Sequence, residues 1–293
     1  MAEASNAPGV KCFFHKDTST CTYVVSDPAT KKAMIVDPVL DYDPASGRTS
    51  TTHNDTVAAF AKDSGFDVEW IAETHVHADH LTGAGRLKAT HFPSAKTAIG
   101  FNVTRVQGIF KPIFNFEEEF KSDGSQFDHL FKDGEEWKLG ELACKALWTP
   151  GHTPACMTYV VGDAVFTGDT IFMPDMGSAR CDFPEGSADT LYASIQKLFE
   201  LPDEYRVFVG HDYGPGGREV AWETTIGEEK KANKQINTST DKDAFIKWRS
   251  ERDATLGAPR LLLPSLQVNL RNGHMPPPES NGKSYMKIPI DTI

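Results

Sequence analysis

The sequence contains no C-x-x-C pair, and its five cysteines (Cys12, Cys21, Cys144, Cys156 and Cys181) are scattered and odd in number. That excludes a cysteine-built zinc site and argues against a disulfide framework, so a reducing compartment is expected. No apolar run reaches transmembrane length. The opening stretch, residues 1–12, lacks both a secretory apolar core and an Arg-rich transit pattern. Positive charge is also short: 30 Lys and Arg stand against 41 Asp and Glu, a net charge of −11. A nucleic-acid binder carries the opposite balance, and anionic membrane faces repel this one. The expectation is a cytoplasmic protein, or a mature organellar (mitochondrial) one, that binds neither nucleic acid nor membrane. An anionic substrate would need a positive patch built against the global field.

Flexible linkers and internal repeats are missing too, so residues 1–293 are expected to form a single domain. The C-terminal part, from about 224 to 293, is expected to pack on it as helices followed by an extended tail. "CTYVVS" and "AMIVDP" are β-branched runs on either side of a turn-rich stretch and predict a hairpin. "NDTVAAFAKDSG" predicts a helix, capped by Asn54 or Asp55 and stopped at Gly65. "DVEWIAET" is a buried strand, and "HLTGAGRLKAT" opens a helix. The middle is β-rich, with Gly162-Asp163 as a hairpin turn. "SADTLYASIQKLFEL" is an amphipathic helix capped by Ser187 or Asp189, and "YRVFVG" is the last clear strand. "TTIGEEKKANKQI" and "DKDAFIKWRSERDA" predict helices. Two similar halves of strands and helices imply an α+β sandwich: two mixed β-sheets flanked by helices.

The chain has ten histidines, yet His75, His77 and His80 crowd with Asp79 into six positions at the end of a predicted strand. Three more polar groups follow predicted strands through glycine: His152 in "TPGHTP", Asp169 in "FTGDTIF" and His211 in "VFVGHDYG". Glycine permits the sharp turn that aims each side chain into a shared cleft. Buried imidazoles without partners are costly, so ligation explains this clustering better than core packing does. Imidazole and carboxylate suit zinc, iron or manganese. Two arrangements are possible. His75, His77 and His152 could hold one ion and Asp79, His80 and His211 another, bridged by Asp169. Alternatively His75, His152 and Asp169 could hold one ferrous ion. Counting ligands does not choose between them.

The series T-H-x-H-x-D-H, G-H-T-P, G-D-T and G-H-D-Y, over about residues 10–235, resembles the metallo-β-lactamase superfamily. The resemblance implies an αβ/βα sandwich with metal at one edge. "GSARCDF" after Asp169, "GHDYG" and "GEEKKAN" look like the persulfide dioxygenases of that superfamily. That likeness implies one Fe(II) per chain on His75, His152 and Asp169. His77, Asp79, His80 and His211 would surround it or form a vacant second site. It also implies glutathione persulfide and O2 as substrates and sulfite and glutathione as products. Arg180 is the first candidate for a substrate carboxylate, with Tyr213, Arg218 and Lys230 behind it. The chain departs from some family members in having Ser178 where they have Cys, and Gln235 where a basic residue stands. The alternatives are a dinuclear hydroxyacylglutathione hydrolase and a non-catalytic metal-binding protein. A homodimer or other homo-oligomer is the expected assembly.

Overall fold

The structure is a computed structural model that describes residues 7–292; residues 1–6, part of the stretch read for targeting signals, lie outside it. Each half of the chain builds one six-stranded sheet whose spatial order follows the sequence. The first sheet comprises Gly9–His15, Thr20–Ser26, Lys32–Val36, Asp67–Ala72, Lys96–Gly100 and His129–Phe131. The second comprises Glu136–Leu139, Leu142–Trp148, Met157–Val161, Ala164–Gly168, Arg206–Val209 and Glu223–Thr225. Both sheets are mixed. Lys32–Val36 runs parallel to Asp67–Ala72, and Ala164–Gly168 runs parallel to Arg206–Val209, while the hairpins are antiparallel.

The period-two rule explains the layers. On Thr20–Ser26, Cys21, Tyr23 and Val25 face the space between the sheets, where they meet Phe131, Tyr159, Phe166 and Phe208. Val24 points the other way, with Ala33, Ile35 and Ile71, onto the helix Thr52–Asp63. Helix Ala188–Leu198 covers the outer face of the second sheet, burying Leu191 and Ile195 against Val165 and Val207. The expected sandwich flanked by helices is therefore observed. Tyr23 ties the sheets together at their centre: its ring packs edge-on to Phe166 at 5.4 Å and its hydroxyl donates to Val209 O at 2.6 Å.

Several local expectations shift. The first helix begins at Thr52 after Thr51, and Asn54 is instead buried, donating to Gly83 O. Leu81–Thr82 forms a short strand against Val39–Leu40 before the helix Ala84–Thr90 starts. The helix predicted over "TTIGEEKKANKQI" stops at Ala232. The tail, expected to be extended, contains the helix Leu262–Asn269, because Pro264 sits in the first turn, where its missing N–H costs nothing. Strand Gly9–His15 and helix Val103–Ile113 had no clear sequence signal.

Candidate metal centre

All seven polar groups sit on loops at one edge of the sandwich, beyond strand ends. His75 and His77 follow Asp67–Ala72, and Asp169 follows Ala164–Gly168. Gly168 adopts φ +50°, and a Cβ there would lie 2.3 Å from Thr74 Oγ1, so only glycine lets this turn approach the histidine loop. Thr74 also anchors that loop, its N–H and hydroxyl donating to Asp37 at 2.7 and 2.8 Å.

Each imidazole is oriented through one nitrogen. The Nδ1 atoms donate to Thr74 Oγ1 from His75 (3.0 Å), to Leu81 O from His80 (3.2 Å), to Arg180 O from His152 (2.8 Å) and to Ser19 O from His211 (3.2 Å). These bonds favour the tautomer whose Nε2 lone pair is free. His77 is reversed: its Nε2 is held by Asp37 and Glu73, both at 3.1 Å, and its Nδ1 is free. The Nε2 atoms of His75, His80 and His211, Nδ1 of His77, Oδ2 of Asp79 and Oδ1 of Asp169 are buried without hydrogen-bond partners. Six such atoms in one place would cost several kcal/mol in an empty protein interior, roughly 1–3 kcal/mol each. They fit a cation held by imidazole and carboxylate.

The seven predicted ligands fall into two sets, each gathered within 4.8 Å: His75, His152 and Asp169, and His77, Asp79, His80 and His211; a third such group, Asp37, Glu73 and His77, is the carboxylate pair on His77 Nε2. In the first set Asp169 Oδ2 lies 4.0 Å from His75 Nε2 and 3.8 Å from His152 Nε2. In the second, His211 Nε2 is 3.3 Å from Asp79 Oδ2, and it also lies 3.4 Å from Asp169 Oδ1. Asp169 therefore touches both sets. His77 gathers with the second set, and its ring also lies 4.1 Å from that of His75, as close as its 4.2 Å approach to His80.

The electrostatics agree with ligand chemistry. Burial, reinforced by His77, holds His75 well below the usual imidazole range, and burial and then His77 push His80 down to about 3. Both are therefore neutral donors. For His211, burial works against protonation, but Asp169 and Asp79 outweigh it and raise its pKa. Burial raises Asp169 despite His211 and His152.

A cleft of about 530 Å³ leads from solvent to His152, Asp169 and Asp79. Arg180 and Tyr213 line it, and the Tyr213 ring stacks parallel on His211 at 6.1 Å. The Arg180 fork, however, is engaged by Asp182 at 2.5 Å through two nitrogens, and its third nitrogen donates to Gly257 O. Arg218 and Lys230 do not line the cleft. Arg218 clamps Asp175 and the fully buried Asp212, and Lys230 pairs with Asp203 and Leu201 O. Both are structural cations, which corrects the expectation that they bind substrate. The cleft wall instead contains Arg249, Arg252 and Arg260, which sequence reasoning passed over. Arg249 and Arg252 are spaced three apart and share one helix face, a signal that was available. Gln235 and Ser178 meet in the same wall, the Ser178 N–H and hydroxyl both donating to Gln235 Oε1.

Relatives share this architecture. The family described as "Metallo-beta-lactamase superfamily" matches residues 16–211. "Glyoxylase B2" of Dictyostelium discoideum is 51% identical, with 99% of each chain aligned. "Persulfide dioxygenase ETHE1, mitochondrial" of Mus musculus is 30% identical over 94% of this chain and 93% of that one. The crystal structure of ETHE1 from Myxococcus xanthus superposes with a TM-score of 0.71 at 30% identity, covering 91% of this chain and all of that one. The histidine and aspartate edge and the two-sheet sandwich together have one reading: the chain belongs to the metallo-β-lactamase superfamily.

Proposed function

We propose that this protein is a persulfide dioxygenase that uses a single ferrous ion held by His75, His152 and Asp169. One observation carries the reading: two imidazoles and one carboxylate, His75, His152 and Asp169, gather as a three-member set within 4.8 Å. Two histidines and a carboxylate suit non-haem iron with open positions. A ferrous ion in such a set would offer open positions where dioxygen and the persulfide sulfur could meet, the four electrons taken up by dioxygen coming from that sulfur. The chain's own residues do the rest. Thr74 Oγ1 and Arg180 O fix the two imidazoles, and Phe172 and Met176 give the cleft an apolar wall suited to a sulfur chain. The reaction balances as glutathione persulfide plus O2 and water giving glutathione and sulfurous acid. The "GSARCDF" and "GHDYG" segments and the similarity to a persulfide dioxygenase support it.

A second reading is a two-metal thioester hydrolase acting on acylglutathione, and its support among relatives is the stronger. The 51% identical relative carries a glyoxylase name, and the set His77, Asp79, His80 and His211 is complete beside a bridging-capable Asp169. Two adjoining ions would activate a water for hydrolysis. The deciding experiment counts metals per chain and follows oxygen uptake with glutathione persulfide alongside hydrolysis of lactoylglutathione. One iron with oxygen uptake is the expected result. Two metal ions with thioester hydrolysis and no oxygen uptake would overturn the proposal in favour of the second reading.

A further inference from the structure

The protein carries a net charge of −11, yet four arginines line the cleft that reaches His152 and Asp169: Arg180, Arg249, Arg252 and Arg260. Three carboxylates also line it, Asp17, Asp79 and Asp169, and the last two belong to the ligand sets. The four arginines are not equivalent. Arg180 is spent on Asp182 and Gly257 O. Arg249 is buried, ion-paired to Asp253 at 2.5 Å, and donates to Ser178 O, which bolts the helix Lys242–Asp253 to the loop after Asp169. Arg252 and Arg260 are exposed. Their guanidinium groups donate to neutral oxygens, Thr255 Oγ1 at 3.2 Å and Asp17 O at 3.4 Å, and neither is in an ion pair among the described residues.

We infer that Arg252 and Arg260 are the specificity-determining residues of the cleft, anchoring two carboxylates of the thiol that carries the reacting sulfur. The inference deepens the proposed function and rests on its placing the substrate in this cleft. A guanidinium receives a carboxylate through a two-point fork, and only these two forks are free. They come from separate segments, the end of one helix and the loop after it, so they suit two separated carboxylates on a flexible molecule of tripeptide size. Neither charge belongs to the metal centre, so their effect falls on binding and not on the chemical step. The same positive rim draws an anionic thiol toward an otherwise acidic protein.

The test uses S-methylglutathione, which lacks the persulfide or thioester group that reacts, and its diethyl ester. Calorimetry on the metal-loaded protein should show Arg252→Gln and Arg260→Gln each weakening S-methylglutathione roughly tenfold or more, the loss expected of one charge-assisted contact. The diethyl ester should bind the native protein as weakly as the free acid binds the double variant, and the substitutions should not weaken it further. In turnover, KM should rise with kcat kept within about twofold. Unchanged affinity in both variants, or an ester that binds as tightly as the acid, would overturn the inference. The binding readout is independent of the reaction. Absence of oxygen uptake with intact arginine-dependent binding would refute the dioxygenase reading alone.

Discussion

Asp169 is the residue on which the two ligand sets converge, so its removal and the removal of a second-set member should have unequal effects. Asp169→Ala should lose bound metal and lower activity by more than about 100-fold, since one of the three ligands of the proposed iron site disappears. His80→Ala should keep its metal, because His80 gathers with His77, Asp79 and His211. Elemental analysis of both purified variants checks this, and metal-free His80→Ala protein would argue for a two-ion centre. The glycines and histidines of the site could be picked out from spacing alone. The roles of Arg218 and Lys230 could not, because their carboxylate partners Asp175 and Asp203 lie 43 and 27 positions away. A cation looks the same in sequence whether it meets a substrate or a buried aspartate.

At the scale of elements, helix Ala188–Leu198 is set by its cap, the Ser187 hydroxyl accepting from Thr190 N–H, and it supports the loop that carries His152. Gly151, at φ +139°, leaves room for Leu191; a Cβ there would fall 2.4 Å from the Leu191 backbone. Gly151→Ala should therefore push loop and helix apart, costing roughly 1–3 kcal/mol and weakening metal binding through His152. Urea unfolding with a metal titration would show whether both losses occur. Helix Ile226–Ala232 buries Glu229, whose Oε2 accepts from Asn233 Nδ2 at 2.7 Å while burial pushes its pKa up to about 8. A carboxyl raised from 4.5 to about 8 stabilises the fold fully below the lower value and loses that contribution as pH rises through the upper one. Glu229→Gln should therefore flatten the decline in stability between pH 5 and pH 8.5, with a gain on the order of 2 kcal/mol at the alkaline end. Equal pH slopes for the native protein and the variant in urea melts would refute this. "GEEKKAN" has a family likeness in sequence, but that it buries Glu229 and Asn233 and leaves Glu228, Lys231 and Ala232 exposed is visible only in three dimensions.

For the whole molecule, the metal edge joins the two halves of the chain. Thr74 O accepts from Met157 N at 2.8 Å, Tyr159 donates to Glu73 O at 2.8 Å, and Asn269 in the C-terminal helix donates to both His77 O and His80 O at 2.8 Å. An ion bound where these segments meet stabilises the folded state by mass action, about 4 kcal/mol when metal exceeds its Kd a thousandfold. Stripping the metal with a chelator should lower the melting temperature by several degrees, and restoring it should reverse the change; calorimetry that finds the two forms equally stable would contradict the ligand assignment.

The sequence by itself determined the sandwich, because alternating buried strands have few ways to hide both faces. It also determined the ligand types, because clustered imidazoles and carboxylates are too costly to bury without an ion. Only the tertiary structure decided how those ligands divide. Which nitrogen His77 offers depends on Asp37, 40 positions earlier, and on Glu73, which together hold its Nε2 and leave Nδ1 free between His75 and His80. Only the fold, likewise, decided which arginines are free to meet a substrate, since a charge is neutralised by whatever the folded chain brings beside it.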